Sequence, residues 1–335
     1  MLREWLIQLH TYQTSFSDLG GQHWFLIESL ILGFLICWWG IPITTDMMVN
    51  ASAGLANKHF GPKSRTMVIN ASTNNPELAN MLVSIGIGRA GGIANPLGSN
   101  FANMYLMFLI APVWVMLRWT LRGRIDRVKA LMSLLFKEKK LVATHVFMAM
   151  LMFGFANVAY WFMTGYNQFA RHPEDVSLHP WNMLLTGAVV CSVGVLLFVL
   201  WDRLMKRWRP ELFEDIDEEE HSERWLTFFA GTAGLILISY VLNELFLSWS
   251  QVYESTLSGY FGAAIFAGLH FFVGALVTSL PELKVAVDNY EKVASPDLNT
   301  ALSSASVSNM TNLAIAILGI VLIGILSVLR FKIEL

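Results

Sequence analysis

The sequence predicts an all-α polytopic membrane protein with about eight transmembrane helices. Three observations carry that prediction. Of 335 residues, 55% are hydrophobic and only 14% are charged, and mean hydropathy is +0.50, too apolar for a soluble domain of this size. The apolar residues gather into long runs, and a bilayer-crossing helix needs about 20 of them. The positive residues gather into alternate connections between those runs. A net charge of −2 supplies no overall basic field of the kind that points to nucleic acid.

In chain order the spans fall at roughly 24–49, 65–87, 94–118, 141–165, 181–204, 225–249, 260–288 and 300–329. Ahead of them, residues 1–23 carry Arg3 and many polar groups and lack the short apolar core of a cleavable signal. Leu2, Trp5, Leu6 and Leu9 of that segment would share one face of an interfacial helix. Residues 24–205 form a first membrane half, 206–224 an acidic linker, and 225–335 a second, shorter half. Cys37 and Cys191 each lie in an apolar run and read as small core residues, not as a disulfide or a metal site.

Loop charge sets the orientation. Lys58, Lys63 and Arg65 follow the first span, Arg118 through Lys140 supply a dense basic cluster after the third, and Arg203, Lys206, Arg207 and Arg209 follow the fifth. The loops after spans two, four and six are poor in Lys and Arg. A multi-pass protein of a cell membrane, plasma or bacterial inner, is therefore expected, with the N-terminus outside and the basic loops in the cytoplasm. Arg330 and Lys332, at a C-terminus also expected outside, run against the rule. The run "ELFEDIDEEEHSE" at Glu211–Glu223 reads as a solvated linker on the cytoplasmic side and lacks the ligand spacing of an EF-hand.

Two spans are interrupted by the same device. "STNNPE" at Ser72–Glu77 and "VTSLPE" at Val277–Glu282 each put a proline and a carboxylate inside an apolar run. After each comes most of a helix, a turn, and a Ser-Asn-x-x-Asn element expected to open the next helix: Ser99, Asn100 and Asn103 in one half, Ser308, Asn309 and Asn312 in the other. The copies, at about 65–118 and 260–329, start five spans apart, so the second would thread the membrane in the opposite direction. Inverted-topology repeats with interrupted helices in matching positions point to a transporter site near the bilayer midplane.

The residue types fit that reading. Proline has no N–H and displaces the carbonyl four residues earlier, so Pro76 would loosen Ser72 and Pro281 would loosen Val277. Freed carbonyls in lipid survive only where they line a cavity or find a partner. Carboxylates (Glu77, Glu282), hydroxyls (Thr73, Thr278, Ser279) and amides (Asn74, Asn75) supply the oxygens a hard cation such as Ca2+ or Na+ prefers. An ionised side chain at a helix centre costs about 2.5–3.5 kcal/mol on insertion scales, and two facing carboxylates repel unless a cation or protons compensate. The plainer alternatives are a helix cap, a lysine partner or a shallow interfacial position for each glutamate, and helix packing for the four asparagines.

Other signals carry less. Gly86, Gly88 and Gly91 match G-x-G-x-x-G without a preceding strand, and read as a tight turn between spans. The N-x-[ST] matches at Asn50, Asn70 and Asn309 lie in or beside spans. His145 and His270 are lone intramembrane histidines, read as packing residues ahead of proton relays. No nucleophile–base pair or metal-ligand pattern suggests an enzyme or a resident cofactor.

The Pro-Glu and Ser-Asn-x-x-Asn elements together resemble the α-repeats of the cation/calcium antiporter superfamily, whose best-known members are sodium/calcium exchangers. Those repeats carry Gly-Thr-Ser-x-Pro-Glu followed by Gly-Asn-x-x-Gly-Ser-Asn-x-x-Asn. "TSLPE" at Thr278–Glu282 and "GSNFAN" at Gly98–Asn103 match well, "TNNPE" at Thr73–Glu77 and "SNMTN" at Ser308–Asn312 in part. "GIPITTDMMVNASAGLA" at Gly40–Ala56 is similar to the family's long first helix. Ser72 and Val277 stand where the signature has glycines, and the second half has three spans where a symmetric member would have five. The resemblance implies alternating-access antiport, most simply Na+-driven Ca2+ export, with H+ coupling or another divalent cation as the nearest alternative. A non-transporting cation-binding subunit or sensor is the alternative of another class. It also implies the ligands: Glu77 and Glu282 as principal ones, Thr73 and Thr278 as carbonyl and hydroxyl donors, Asn74 and Ser279 at the flanking serine, and Asn95 with Ser304 as its approximate counterpart.

Overall fold

The computed structural model describes residues 3–4, 21–60, 72–163, 180–210, 225–262, 264–329 and 331. Most of the N-terminal segment, most of the acidic linker and the C-terminal basic residues Arg330 and Lys332 lie outside the described residues. Among those described, every element is a helix. In chain order they are α1 (Gly21–Leu35), α2 (Ile41–Phe60), α3 (Asn75–Gly86), α4 (Ala94–Tyr105), α5 (Ala111–Leu121), α6 (Ile125–Lys137) and α7 (Lys139–Met163). They continue with α8 (Pro180–Trp208), α9 (Trp225–Val252), α10 (Glu254–Phe261), α11 (Ile265–Leu269), α12 (Ala275–Thr278), α13 (Leu280–Tyr290) and α14 (Ser295–Val328). Single π-helical turns at Ile36–Gly40, Leu106–Ile110 and His270–Gly274 join α1 to α2, α4 to α5 and α11 to α12.

Seven stretches among the described residues are long and apolar enough to cross a bilayer: Phe25–Ser52, Ala90–Leu121, Lys139–Met163, Leu184–Trp208, Trp225–Val252, Ile265–Tyr290 and Ser295–Val328. The chain is thus a multi-pass helical membrane protein. The second expected span is described only from residue 72, and its helix α3 is too short at 12 residues, about 18 Å, to cross alone. Two expected boundaries move. The seventh stretch begins at Ile265 and not near 260, because the chain first forms α10 and then turns through Gly262 at φ +57°. The last begins at Ser295 and not at 300, because Pro296 and Asp297 occupy its first turn, where a missing N–H costs nothing and a carboxylate meets the positive helix end. Ser308 therefore lies about 20 Å along α14, where the sequence suggested a helix start.

The Ile265–Tyr290 stretch is the centre of the bundle: 72% of its apolar window is buried, against 17% for Phe25–Ser52. The long helix α14 packs beside it, touching α3, α4, α7, α8 and α13. Trp38, Trp39, Phe147, Val189 and Leu237 point outward, as lipid-facing side chains do.

Along the central helices the core is layered. One apolar cluster holds Leu97 of α4, Met148 and Met152 of α7, Phe271, and Leu313, Ala316 and Ile320 of α14. A second holds Ala102 and Leu106, Leu141, Ala275 and Ala286, and Leu298, Leu302 and Ala305 of the same helices or their continuations. Between the clusters on α4, α7 and α14 fall polar residues, Ser99 and Asn100, His145, and Ser308 and Asn309, while Thr278 and Ser279 lie between Ala275 and Ala286 of the second cluster. A buried polar layer flanked by apolar clusters results.

One end of the bundle is tied by ion pairs. Glu138, at the α6–α7 corner and nearly buried, lies 3.4 Å from Arg209 and accepts a 2.9 Å bond from Ser295 at the start of α14. Arg118 pairs with Glu291, and Lys292 with Asp297. Because Glu138 joins three elements at a site short of water, Glu138→Ala should cost about 1–3 kcal/mol. Thermal unfolding of the detergent-solubilised protein should show the midpoint falling, and an unchanged midpoint would mean that the corner is held by packing alone.

Candidate functional site

The site grows from two helix breaks with the same local geometry. Asn74 (φ −88°, ψ 7°) precedes α3, and Ser279 (φ −84°, ψ 4°) precedes α13. These dihedrals lie in the bridge region, where a helical path turns without reversing. Proline follows two residues later in each, in the first turn where its missing N–H is harmless. Glu77 and Glu282 then occupy the third helical position, and the first regular bonds run from Leu78 N–H to the Asn74 carbonyl and from Leu283 N–H to the Ser279 carbonyl. Free amides and the helix dipole at these ends attract the carboxylates.

Both glutamates are wholly buried, at 0% exposure. Ser99 of α4 donates to Glu77 Oε1 at 3.0 Å and lies 3.4 Å from the Thr278 hydroxyl. Ser308 of α14 lies 3.3 Å from Glu282 Oε1, and 2.7 Å from the Asn74 side-chain oxygen. Each serine thus touches the carboxylate of its own half and the broken segment of the other half. Asn103 extends the second bridge, donating to Ser308 Oγ at 2.7 Å and Asn309 Oδ1 at 3.0 Å. Asn95 donates to Thr278 Oγ1 at 3.2 Å. The two glutamates are close enough for the charge of one to act on the other.

Several oxygens at this place have no hydrogen-bond partner among the described residues: Oε2 of Glu77, Oε2 of Glu282, Oδ1 of Asn95 and Oγ of Ser279. All are buried, and the set is that of a hard cation. Of the residues expected at the site, Glu77, Glu282, Thr278, Asn74 and Asn95 are joined by these bonds, and Ser279 and Thr73 are buried beside them at the breaks. Ser304 is buried and donates its hydroxyl to the Ala301 carbonyl of its own helix at 2.7 Å, a bond that leaves its oxygen lone pairs open. Among the described residues no group of three or more His, Cys, Asp or Glu suits a metal ion. That is a statement about nitrogen, sulfur and carboxylate clusters and leaves a site of two carboxylates and neutral oxygens standing.

Sequence reasoning undervalued Ser99 and Ser308. Both were visible in the Ser-Asn-x-x-Asn elements, but nothing in one chain tells which polar face of a helix meets a partner. It also missed a second polar cluster one turn beyond Glu77. There Asn80 donates to His270 Nδ1 at 3.2 Å, and Asn243 of α9 donates to Asn80 Oδ1 at 2.6 Å. His145 likewise makes side-chain bonds, to Ser306 and Asn299, both on α14. The glycine motif at Gly86–Gly91 is a turn, as expected: Gly88 adopts φ +82°, and Ser84 Oγ donates to the Arg89 carbonyl and accepts from Gly92 N–H.

Backbone contact brings α4 against the turn ahead of the second break. A Cβ added at Gly98 would lie 1.9 Å from the Phe271 carbonyl oxygen, and one at Gly274 would lie 2.4 Å from Asn95 Oδ1. These glycines let Asn95 and Ser99 reach Thr278. Gly98→Ala should force the two apart at a cost of about 1–3 kcal/mol, read as a lower thermal midpoint. A variant as stable as the parent would show that α4 can shift without penalty.

Neither family models nor curated proteins nor solved structures give a match to this chain.

Proposed function

We propose that the chain is a secondary-active cation antiporter that holds its cation between Glu77 and Glu282, with Na+-driven Ca2+ export as the leading assignment. The observation that carries this reading is a single one. Two wholly buried carboxylates share a polar layer, each with an unpartnered oxygen and neither with a lysine or arginine among the ion pairs of the described residues. A cap explains one oxygen of each glutamate and not the other. A transported cation explains both, since it cancels the repulsion and engages the remaining oxygens at once.

The matched breaks supply a mechanism. Around the carboxylates the elements of the first half (α3, α4) and of the second (α12, α13, α14) meet through hydrogen bonds of Ser99, Ser308, Asn95 and Asn103, and away from them through apolar contacts. A pair of repeats of opposite topology, rocking about this layer, would open it to one side and then the other. With both carboxylates ionised and no cation, the layer carries two like charges in low dielectric, which opposes closure; loading removes the opposition. Exchange, as distinct from leak, follows from that difference.

Isotope uptake into vesicles holding the purified protein tests this directly. A Na+ gradient should drive 45Ca2+ movement in the parent, and Glu77→Gln and Glu282→Gln should each reduce it to the rate of empty vesicles. Uptake driven by a pH gradient alone would replace Na+ by H+. Full activity in both glutamine variants would remove the site altogether.

Ser99→Ala and Ser308→Ala should act more mildly. Each removes one hydroxyl bonded to a charged group, worth about 1.5–3 kcal/mol, so Ca2+ affinity by calorimetric titration should weaken about tenfold or more. Unchanged affinity in both would mean that the serines only bridge the halves.

A further inference from the structure

We propose that α6 is a docking surface for anionic phospholipid headgroups, with one apolar edge sunk into the acyl boundary beside the bundle. The inference needs only that the chain spans a bilayer, and it is independent of the cation site.

Position comes first. α6 connects two stretches long enough to cross, Ala90–Leu121 and Lys139–Met163. Its own 13 residues, about 20 Å, are too few to cross back. A corner sets it off at each end. Gly123 turns the chain at φ +71°, and Arg124 N–H donates to the Trp119 carbonyl at 2.8 Å. Glu138 turns it into α7. A helix held between these corners lies at one face of the membrane.

The sides of α6 differ. Leu131 is buried, and Val128, Leu134 and Leu135 pack with it into the core cluster that holds Trp119, Leu141 and Leu298. Ile125, Met132 and Phe136, spaced by seven and four residues, form a second apolar stripe, exposed by 44%, 40% and 70%. Leu121, just ahead at the end of α5, is 79% exposed. Packing onto the bundle uses the first stripe and has no use for the second.

Charge supplies the occupant. From Arg122 to Lys140 stand seven basic residues and two acidic ones. All seven basic side chains are exposed, and none belongs to an ion pair among the described residues. Of the two acids, Glu138 is engaged with Arg209 and Ser295, which leaves Asp126. Arg127 lies over the Trp119 ring and donates to the Glu291 carbonyl at 3.3 Å. The other six border the second stripe: Arg122 and Arg124 before Ile125, Lys129 midway, and Lys137, Lys139 and Lys140 after Phe136. Apolar side chains bordered by unpaired cations fit the acyl–headgroup boundary of an anionic leaflet, where lysine and arginine stems lie in the boundary and their charges reach the phosphates. Each basic residue at such a surface favours binding about fivefold. An acidic peptide would answer the charges and leave the stripe in water.

Through this helix, lipid charge reaches the bundle. Arg127 holds the Glu291 carbonyl, and the Glu138 corner holds Ser295 at the start of α14. Headgroups that fix α6 therefore brace the connection between α13 and α14.

The experiment places the full chain in lipid discs of phosphatidylcholine, and in discs with about a third of that lipid replaced by phosphatidylglycerol. The thermal midpoint should be higher in the anionic discs, and the difference should shrink in molar salt. Lys129→Gln, Lys137→Gln, Lys139→Gln and Lys140→Gln together should abolish the difference and leave the midpoint in phosphatidylcholine at the parent's value. Mass measurement of the protein released intact from mixed discs reads binding directly. The parent should retain phosphatidylglycerol in preference to phosphatidylcholine, and the quadruple variant should lose that preference by about fivefold or more.

Equal midpoints of the parent in the two discs, or a preference kept by the variant, would overturn the docking. The basic side chains would then be answered by water or by acids of the chain itself, such as the run Glu211–Glu223. An equal loss of stability by the variant in both discs would make the lysines structural and overturn it too. Met132→Ser with Phe136→Ser tests the apolar edge: the midpoint should fall in both kinds of disc. A double-serine variant as stable as the parent would put that edge in water, against the proposal.

Discussion

Carboxylate burial without a basic partner is the constraint on which the rest of this structure depends. A buried acid must be paired, protonated or bound to a cation, since leaving it charged and alone in low dielectric is prohibitive. This chain shows both the ordinary solution and the exception. At the end of the bundle, the Pro296-Asp297 step opens α14 and its carboxylate finds Lys292 at 3.2 Å. The Pro76-Glu77 and Pro281-Glu282 steps open α3 and α13 in the same way, but no lysine or arginine is paired with either glutamate among the described residues. Three helix starts share one local design, and only the two in the polar layer keep their charge open.

The surrounding architecture serves that layer. Apolar clusters flank it, and such a low-dielectric surrounding strengthens every interaction among the polar groups and raises the cost of any left unpaired. The π-helical turns Leu106–Ile110 and His270–Gly274 sit directly after α4 and before α12, the two helices that carry Ser99 and Thr278. Such a turn displaces the residues around it relative to a regular helix. Here it brings the Phe271 carbonyl to Gly98, so the closest backbone approach in the layer depends on a glycine and an irregular turn together.

Much of this was legible in the sequence because the signals break local rules. A proline and a glutamate inside an apolar run contradict both helix propensity and hydropathy, and that contradiction located both breaks. Composition alone was enough for a helical multi-pass protein. The start of α14 was misplaced because Ser295, Pro296 and Asp297 look like a loop by polarity and act as a helix start by position. The π turns left no mark, since which carbonyl is displaced is decided by the neighbouring helix. The second cluster of Asn80, Asn243 and His270 was equally silent: three isolated polar residues on separate spans become a network only when α3, α9 and the His270 turn are side by side.

The two halves of the layer are alike without being equal. Asn103 of α4 donates to both Ser308 and Asn309, whereas Asn312, which holds the corresponding place on α14, has neither its nitrogen nor its oxygen bonded among the described residues. Ser99 finds Thr278 at 3.4 Å, while its counterpart Ser308 finds Asn74, one position further along the break, at 2.7 Å. A satisfied network resists displacement, and a partly satisfied one is where rearrangement costs least, because its polar groups have bonds to gain. Unsatisfied groups stand on both sides among the described residues, the side-chain oxygens of Asn95, Asn100 and Asn103 on α4 and the Ser279 hydroxyl and Asn312 amide on the other, so each side of the layer has bonds to gain on rearrangement.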